Sequence, residues 1–395
     1  MTGSPTPSGK VIVHVFGRTD VGRTREHNED TFAVADLTTF NVSLQPEVRT
    51  HECGPRGSFF MVADGMGGAA AGEVASQMAV ETMLAELDAR WRGAQSADAE
   101  TFAHALKAST ETANARIHAY AAAHPENRGM GTTATIAGLL GDSLFLCQVG
   151  DSRGYIVRNG EAIQITKDQS LMQKLIEAGE MTPEEAEVSE RRNIILQALG
   201  PEARIKVDLT SQQVMRGDVL ILCSDGLSGQ VRANEIAAVV KAEPDLVGVC
   251  KRLIDLANEA GGPDNITVVA ARFEGDGLVA SGAESLAHRV YRGSQERPTV
   301  PLDRSSIPQL SAMDDDTDES EVPTVETDAL DRPKVVVGTA GQGPTAEIAP
   351  PSVRAKLPAP PPPGGKIPTA TLRLVFGGLA LLVAAVAVYL WLRGN

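Results

Sequence analysis

Between residues 11 and 274 short apolar runs are separated by turn residues, and most runs are too brief for helices. They read as strands at 11–16, 31–35, 58–63, 132–140, 143–149, 154–158, 162–166, 207–211, 219–223 and 266–273. Gly141-Asp142 and Asn159-Gly160 are two-residue hairpin signals, so the strands they join are antiparallel. Helical periodicity covers 72–91 and 98–123, between the third and fourth strands, and 246–260 before the last. Strands grouped together with helices set apart specify an α+β layered domain, not an alternating βαβ one. Residues 168–200 interrupt the rhythm. There Thr182-Pro183-Glu184-Glu185 offers a Thr N-cap, Pro at N1 and Glu at N3, in a stretch that stays polar through Arg191-Arg192. It is expected to be a mobile helical excursion over the sheet and not core.

The pattern changes after residue 274, and composition shows how. Residues 276–370 hold 14 of the 23 prolines, one aromatic (Tyr291), the acidic run 314–319 and four prolines at 360–363. Such a stretch buries too little apolar surface to offset the entropy of ordering it, so 275–370 reads as a disordered, semi-extended linker. Leu374 to Leu392 is 19 residues without a charge, with Tyr389 and Trp391 near one end. At ~1.5 Å per residue it is long enough to cross a bilayer core as one transmembrane helix. Arg354, Lys356, Lys366 and Arg373 precede it and Arg393 alone follows, which places the N-terminal part in the cytoplasm. The expected organisation is a flexible residue 1–10 segment, a folded domain over 11–274, the linker, and a single-pass membrane anchor. Residues 1–10 lack the apolar core of a signal peptide. The four cysteines are widely spaced, and Cys147 and Cys223 fall in apolar runs, so reduced core thiols are expected. A net charge of −15 argues against a nucleic-acid partner.

Candidate chemistry sits where strands end. The runs 58–63 and 219–223 lead into Asp64-Gly65 and Asp225-Gly226, and 143–149 leads into Asp151. Asp264-Asn265 opens the last strand, and Glu29-Asp30 precedes the second. Each alone is ordinary turn chemistry. Together, carboxylates converging on one rim would repel one another unless cations held them. An all-oxygen donor set selects Mg²⁺ or Mn²⁺ over Zn²⁺. Two such ions sharing a carboxylate suit phosphoryl transfer to water. Arg25, beside the first carboxylates, is a candidate clamp for the substrate phosphate.

The motifs DVGRTREHNED (20–30), VADGMGG (62–68), GMGTT (129–133), VGDSR (149–153), CSDGL (223–227) and GGPDNIT (261–267) occur in this order. Together they resemble the type 2C, or PPM, metal-dependent serine/threonine protein phosphatases, bacterial branch, over roughly residues 11–274. The resemblance implies a four-layer α-β-β-α sandwich with two central antiparallel sheets and the dimetal site at one end. It implies that Asp64 bridges two Mn²⁺ or Mg²⁺ ions with the Gly65 carbonyl beside it, and that Asp225 and Asp264 complete one. Glu29 and Asp30 serve the other directly or through water, and Asp151 with Asp225 holds a third ion. Arg25 binds the phosphate, with Asp64 and Asp225 also catalytic. Asn265 orients its neighbour, and 168–200 is the variable flap that influences substrate choice. Phosphorylated proteins, Ser/Thr kinases and their substrates are the implied partners.

Two departures qualify the match. Many eukaryotic members carry a proton-donating histidine directly after the Asp-Gly pair, where this chain has Met66. Residues 38–57 lengthen the connection between the second and third strands and carry His51 and Cys53, which match no metal or catalytic spacing. Two other readings stay open: a non-catalytic phosphoprotein-binding scaffold, which predicts loss of metal carboxylates, and a metallohydrolase for small phosphoesters. Thr317, Thr324 and Thr327 lie among acids in the linker and are candidate kinase targets, although a solvated spacer accounts for them as well.

Overall fold

The period of burial explains why the central strands read as unbroken apolar runs. In 58–63, Phe60 and Val62 enter one core while Phe59, Met61 and Ala63 enter another. In 219–223, Leu220 and Leu222 face the first of these cores, and Val219, Ile221 and Cys223 face a third. Alternate side chains point to opposite faces, so a strand apolar at every position must be covered on both.

The computed structural model describes residues 9–68, 71–280, 286 and 288–291. The chain divides into Met1–Ser306 and Ile307–Asn395, and all described residues belong to the first unit. In chain order the strands begin β1 (Ile12–Asp20), β2 (Thr31–Asp36), β3 (Asn41–Ser43), β4 (Arg49–Glu52), β5 (Ser58–Ala63), β6 (Gly65–Met66) and β7 (Gly131–Thr132). They continue β8 (Ala134–Leu140), β9 (Ser143–Val149), β10 (Arg153–Arg158), β11 (Glu161–Gln164), β12 (Asp208–Gln213), β13 (Val219–Cys223) and β14 (Ile266–Glu274). The helices are α1 (Ala71–Leu87), α2 (Ala99–Ala123), α3 (Leu171–Glu177), α4 (Pro183–Glu187), α5 (Asp225–Ser228), α6 (Ala233–Ala242) and α7 (Leu246–Glu259). One sheet has the order β11-β10-β13-β14-β1-β4, the other β12-β9-β8-β5-β2-β3, and β6 pairs with β7. Every pairing between these strands is antiparallel.

Three cores separate four layers. Val15, Phe60, Leu220 and Phe273 fill the space between the sheets. Ala75, Met83, Phe102 and Leu106 of α1 and α2 cover the β5 sheet, and Ile236, Val240, Val249 and Leu253 of α6 and α7 cover the β13 sheet. This is the expected α-β-β-α sandwich. Thr182 caps α4 through the expected reciprocal pair with Glu185. Helix α6 is not among the expected elements, whereas α3 falls within the helical excursion expected over 168–200.

Three expectations need correcting. The 38–57 extension is not simply loop: it contributes β3 to the edge of one sheet and β4 to the edge of the other. Within it His51 Nε2 lies 2.7 Å from Ser58 Oγ, and burial pushes the Cys53 thiol up to about 11. Burial therefore favours the protonated thiol at neutral pH, and Cys53 packs against the inter-sheet core.

The folded domain also does not end at 274. Leu278 and Leu286 are buried in the inter-sheet core. Ser211 N–H donates to Arg289 C=O (3.1 Å) and Tyr291 N–H donates to Leu209 C=O (2.9 Å). Residues 289–291 thus cover the otherwise open edge of β12, and the Tyr291 ring meets Phe145 edge-on at 5.3 Å. Main-chain pairing with an open edge explains why a proline-rich composition did not reveal it.

Thirdly, the 168–200 segment is rooted in the core. Met172, Ala186 and Leu199 are buried, while Val188 is exposed. All four cysteines are free, and Cys147, Cys223 and Cys250 are buried. Among the described residues no helix is long and apolar enough to cross a membrane. The span 374–392, the linker beyond 291 and its three threonines lie outside the described residues.

Candidate metal centre

Strand register gathers the predicted carboxylates. Thr31 pairs with Ala63, so Asp30 and Asp64 are each one residue beyond the same rung. In the same sheet Ala134 pairs with Val149, two residues before Asp151. In the other sheet Cys223 pairs with Arg153 and Val268, which brings Asp225, Asp151 and Asp264 to one end. Hydrogen bonds join the two rims. Asp30, on the β2 side, accepts from Ser224 Oγ (2.8 Å) and Thr267 Oγ1 (2.7 Å) of the opposite sheet through its Oδ2.

The loop between β1 and β2 crosses this rim and carries Arg25. Asn265 pins it: its Nδ2 donates to Val21 C=O (3.0 Å) and His27 C=O (2.9 Å). Its Oδ1 accepts from Glu29 N–H at 2.8 Å. Asn265 does meet its neighbour, since its N–H donates to Asp264 Oδ1 at 2.8 Å, and its side chain also orients the loop that presents Arg25 and Glu29. Gly22 in this loop has φ +80°, and a Cβ there would lie 2.1 Å from the Asp264 carbonyl oxygen. Arg25 Nη2 donates to Asp264 Oδ2 at 2.8 Å, with half of the arginine side chain exposed.

Asp64 sits on the short link between β5 and β6. A Cβ at Gly65 would come 2.3 Å from the Gly72 carbonyl oxygen and 2.5 Å from that of Glu29. The glycine is therefore needed for the start of α1 to pack against the rim. Met66 pairs with Gly131 in the β6–β7 bridge.

Burial raises the proton affinity of these groups. It lifts the Asp30 carboxyl to about 7, against the two hydroxyl bonds that favour the ionised form. Burial, then the charges of Asp225 and Asp168, takes Asp151 to about 7. Asp64 is held well above the usual carboxylate range by burial and by Asp30, Asp225 and Asp151. Asp225 is raised by burial and then Asp264, and Glu29 chiefly by burial. Glu29 Oε1, Asp30 Oδ1 and Asp151 Oδ1 are buried with no hydrogen-bond partner. Buried carboxylate oxygens without partners are costly, and a divalent cation is the ligand that offsets both their desolvation and their mutual repulsion. The donors are all oxygen, which fits Mn²⁺ or Mg²⁺. Among the described residues no three His, Cys, Asp or Glu side chains stand close enough together to form a ready-made metal-binding group.

Ser224, Thr267 and the Thr132-Thr133 pair hold the site together, yet the sequence singled out no role for them. Their motifs were visible, but serine and threonine at strand ends look like turn residues. The flap root joins the same network. Gln169 N–H donates to Gly150 C=O (2.8 Å), and Leu199 pairs with Thr132 in both directions (2.8 and 3.1 Å). Arg153 binds Asp168 through Nε and Nη2, at 2.7 Å for the shortest contact.

Residues 49–266 match the family model for Protein phosphatase 2C. The serine/threonine phosphatase stp of Listeria welshimeri is 37% identical over 257 residues, which is 65% of this chain and 94% of that protein. The serine/threonine protein phosphatase PstP of Mycobacterium tuberculosis is 38% identical over 263 residues, 66% of this chain and 45% of that one. A crystal structure of PstP/Ppp from the same organism superposes with a TM-score of 0.56 at 37% identity, covering 67% of this chain and 99% of that one. The catalytic domain of PstP in complex with two manganese ions superposes with a TM-score of 0.54 at 35% identity, over 67% and 99% of the two chains. With the family model matching more than half of its length and these relatives sharing its fold at 35–38% identity, the chain belongs to the protein phosphatase 2C family.

Proposed function

We infer that this chain hydrolyses phosphoserine and phosphothreonine in proteins with Mn²⁺ or Mg²⁺ as cofactor. The observation that carries this is the set of buried carboxylate oxygens without partners on one rim, beside a half-exposed arginine, in a chain similar to serine/threonine phosphatases. The assignment of roles is our proposal. Asp64 would be shared by two ions, with the Gly65 carbonyl as a further ligand; Asp225 and Asp264 would complete one, and Glu29 and Asp30 would serve the other directly or through water. Asp151 with Asp225 would hold a third. When bound, such ions lower the pKa of water and neutralise phosphate oxygens.

The chain's own residues do the rest. Ser224 and Thr267 bond Asp30 Oδ2 and leave Oδ1 for a ligand. Asn265 fixes the loop that carries Arg25. Arg25 spends one N–H on Asp264 and keeps further donors for a phosphate oxygen. Met66 has no proton to give. In the full chain, held in detergent, Mn²⁺ should support phosphate release from phosphothreonine and phosphoserine peptides. Folded, metal-loaded protein without turnover would overturn the enzyme reading, and turnover confined to small phosphoesters would favour the metallohydrolase.

We also propose that Leu374–Leu392 anchors the enzyme in the membrane with the phosphatase domain in the cytoplasm, where Ser/Thr kinases and their substrates are its partners. The uncharged span and the basic residues before it support this reading. The full chain should sediment with membranes, and a chain ending at residue 373 should not. Equal partitioning of the two would refute the anchor.

A further inference from the structure

Both backbone polar atoms of Asp64 are held by the GMGTT segment. Asp64 N–H donates to Thr133 Oγ1 at 3.0 Å. Its carbonyl accepts from Thr133 N–H (2.8 Å) and Thr132 Oγ1 (2.9 Å). Thr133 Oγ1 in turn lies 2.8 Å from Ser152 Oγ, in a bond where both residues are almost wholly buried. Ser152 directly follows Asp151, and its carbonyl accepts from Thr135 Oγ1 (3.0 Å) and Gln148 Nε2 (2.7 Å). The methyl face of Thr133 is used as well: a Cβ at Gly150, where φ is +101°, would lie 2.6 Å from Thr133 Cγ2. One threonine therefore touches the two loops that carry Asp64 and Asp151.

We propose that Thr133 is a positioning residue for the metal centre. Its hydroxyl ties the Asp64 backbone to the Asp151 loop, so the two carboxylates keep the separation that the ions require. This rests on the dinuclear reading above. Loops at a strand end are the least constrained part of a sheet, and carboxylates that repel one another would drift apart on them. A buried hydroxyl bonded to both sides resists that drift, and leaving the Asp64 N–H unpaired would be costly. The alternative is that Thr133 only fills space against Gly150.

Two near-isosteric variants separate these roles. Thr133→Val keeps the methyl and loses the hydroxyl; Thr133→Ser does the reverse. In the full chain, Mn²⁺ binding by calorimetry and steady-state turnover of a phosphothreonine peptide are measured for each. Thr133→Val removes both bonds of the hydroxyl and should weaken Mn²⁺ binding at least about tenfold, the scale of leaving a buried donor such as the Asp64 N–H unpaired. It should also lower kcat at saturating metal while leaving the peptide KM in place. Thr133→Ser should restore both to near wild-type values. Wild-type metal affinity in Thr133→Val would overturn the proposal, as would a Thr133→Ser defect as large as that of Thr133→Val. If Thr133→Val does not fold, Ser152→Ala cuts the tie at its Asp151 side by removing the Thr133–Ser152 bond while keeping the one to Asp64 N–H; unchanged metal affinity there overturns the proposal too. Failure of the wild type itself to bind Mn²⁺ would instead overturn the dinuclear reading.

Discussion

Strand β13 has an aspartate at each end, and the two are treated in opposite ways. At its start, Asp218 is fully buried and fully paired. Arg158 Nε reaches Oδ1 at 2.9 Å and Nη2 reaches Oδ2 at 2.6 Å, while Met215 N–H donates to Oδ2 at 2.8 Å. Just past its end lies Asp225, raised by burial and by the neighbouring charge of Asp264, close to Asp30 and Asp151, each of which has one carboxylate oxygen without a partner. The fold therefore compensates a buried carboxylate from within where the role is architectural. At the rim it leaves compensation to something from outside. A buried charge is tolerated only when paired, so an unpaired set is the mark of a binding site.

The sharpest way to break this comparison is to remove one carboxylate from each end in turn. Asp225→Ala should lower turnover of a phosphothreonine peptide by at least about a hundredfold, the scale of losing one group that stabilises transition-state charge. Because it relieves repulsion, metal-free stability in a urea melt should not fall. If turnover survives, the rim carboxylates are not the site. Arg158→Ala, at the other end, leaves Asp218 buried without its counter-ion, and should cost about 3–5 kcal/mol in the same melt. Turnover per folded molecule should stay unchanged there. A turnover loss in Arg158→Ala with the fold intact would mean that the two ends are not independent.

How far the sequence reveals each end follows from what holds it. Strands 58–63, 143–149 and 219–223 are read to the residue, because burial on both faces leaves an unbroken apolar run between turn residues. Their terminal carboxylates inherit that clarity, so Asp64, Asp151 and Asp225 are legible as a set. The hydroxyls that hold them are not. Ser224 meets Asp30 across 194 residues of sequence, and nothing local in a serine before Asp-Gly signals such a partner. Edge strands are equally silent: β4 alternates between half-buried and exposed positions and is defined by pairing with β1. The docking of 289–291 on β12 is main-chain chemistry, which composition does not encode. Helix α6 escaped because its apolar face spans only ten residues.

The smallest effect tests whether position on the rim is enough to make a residue functional. Met66 follows Asp64-Gly65 directly, where a histidine would offer a proton to the leaving group. Here its backbone closes the two-residue bridge to Gly131, and a thioether neither donates a proton nor binds a hard cation well. Removing the side chain beyond Cβ leaves that bridge intact. Met66→Ala should therefore retain turnover within about threefold, in line with substitutions that break no paired group. Peptide KM and kcat, measured with Mn²⁺ at saturation, would show it. A large kcat loss in a folded Met66→Ala protein would place the methionine in the machinery, and the division between paired and unpaired carboxylates would no longer describe the whole rim.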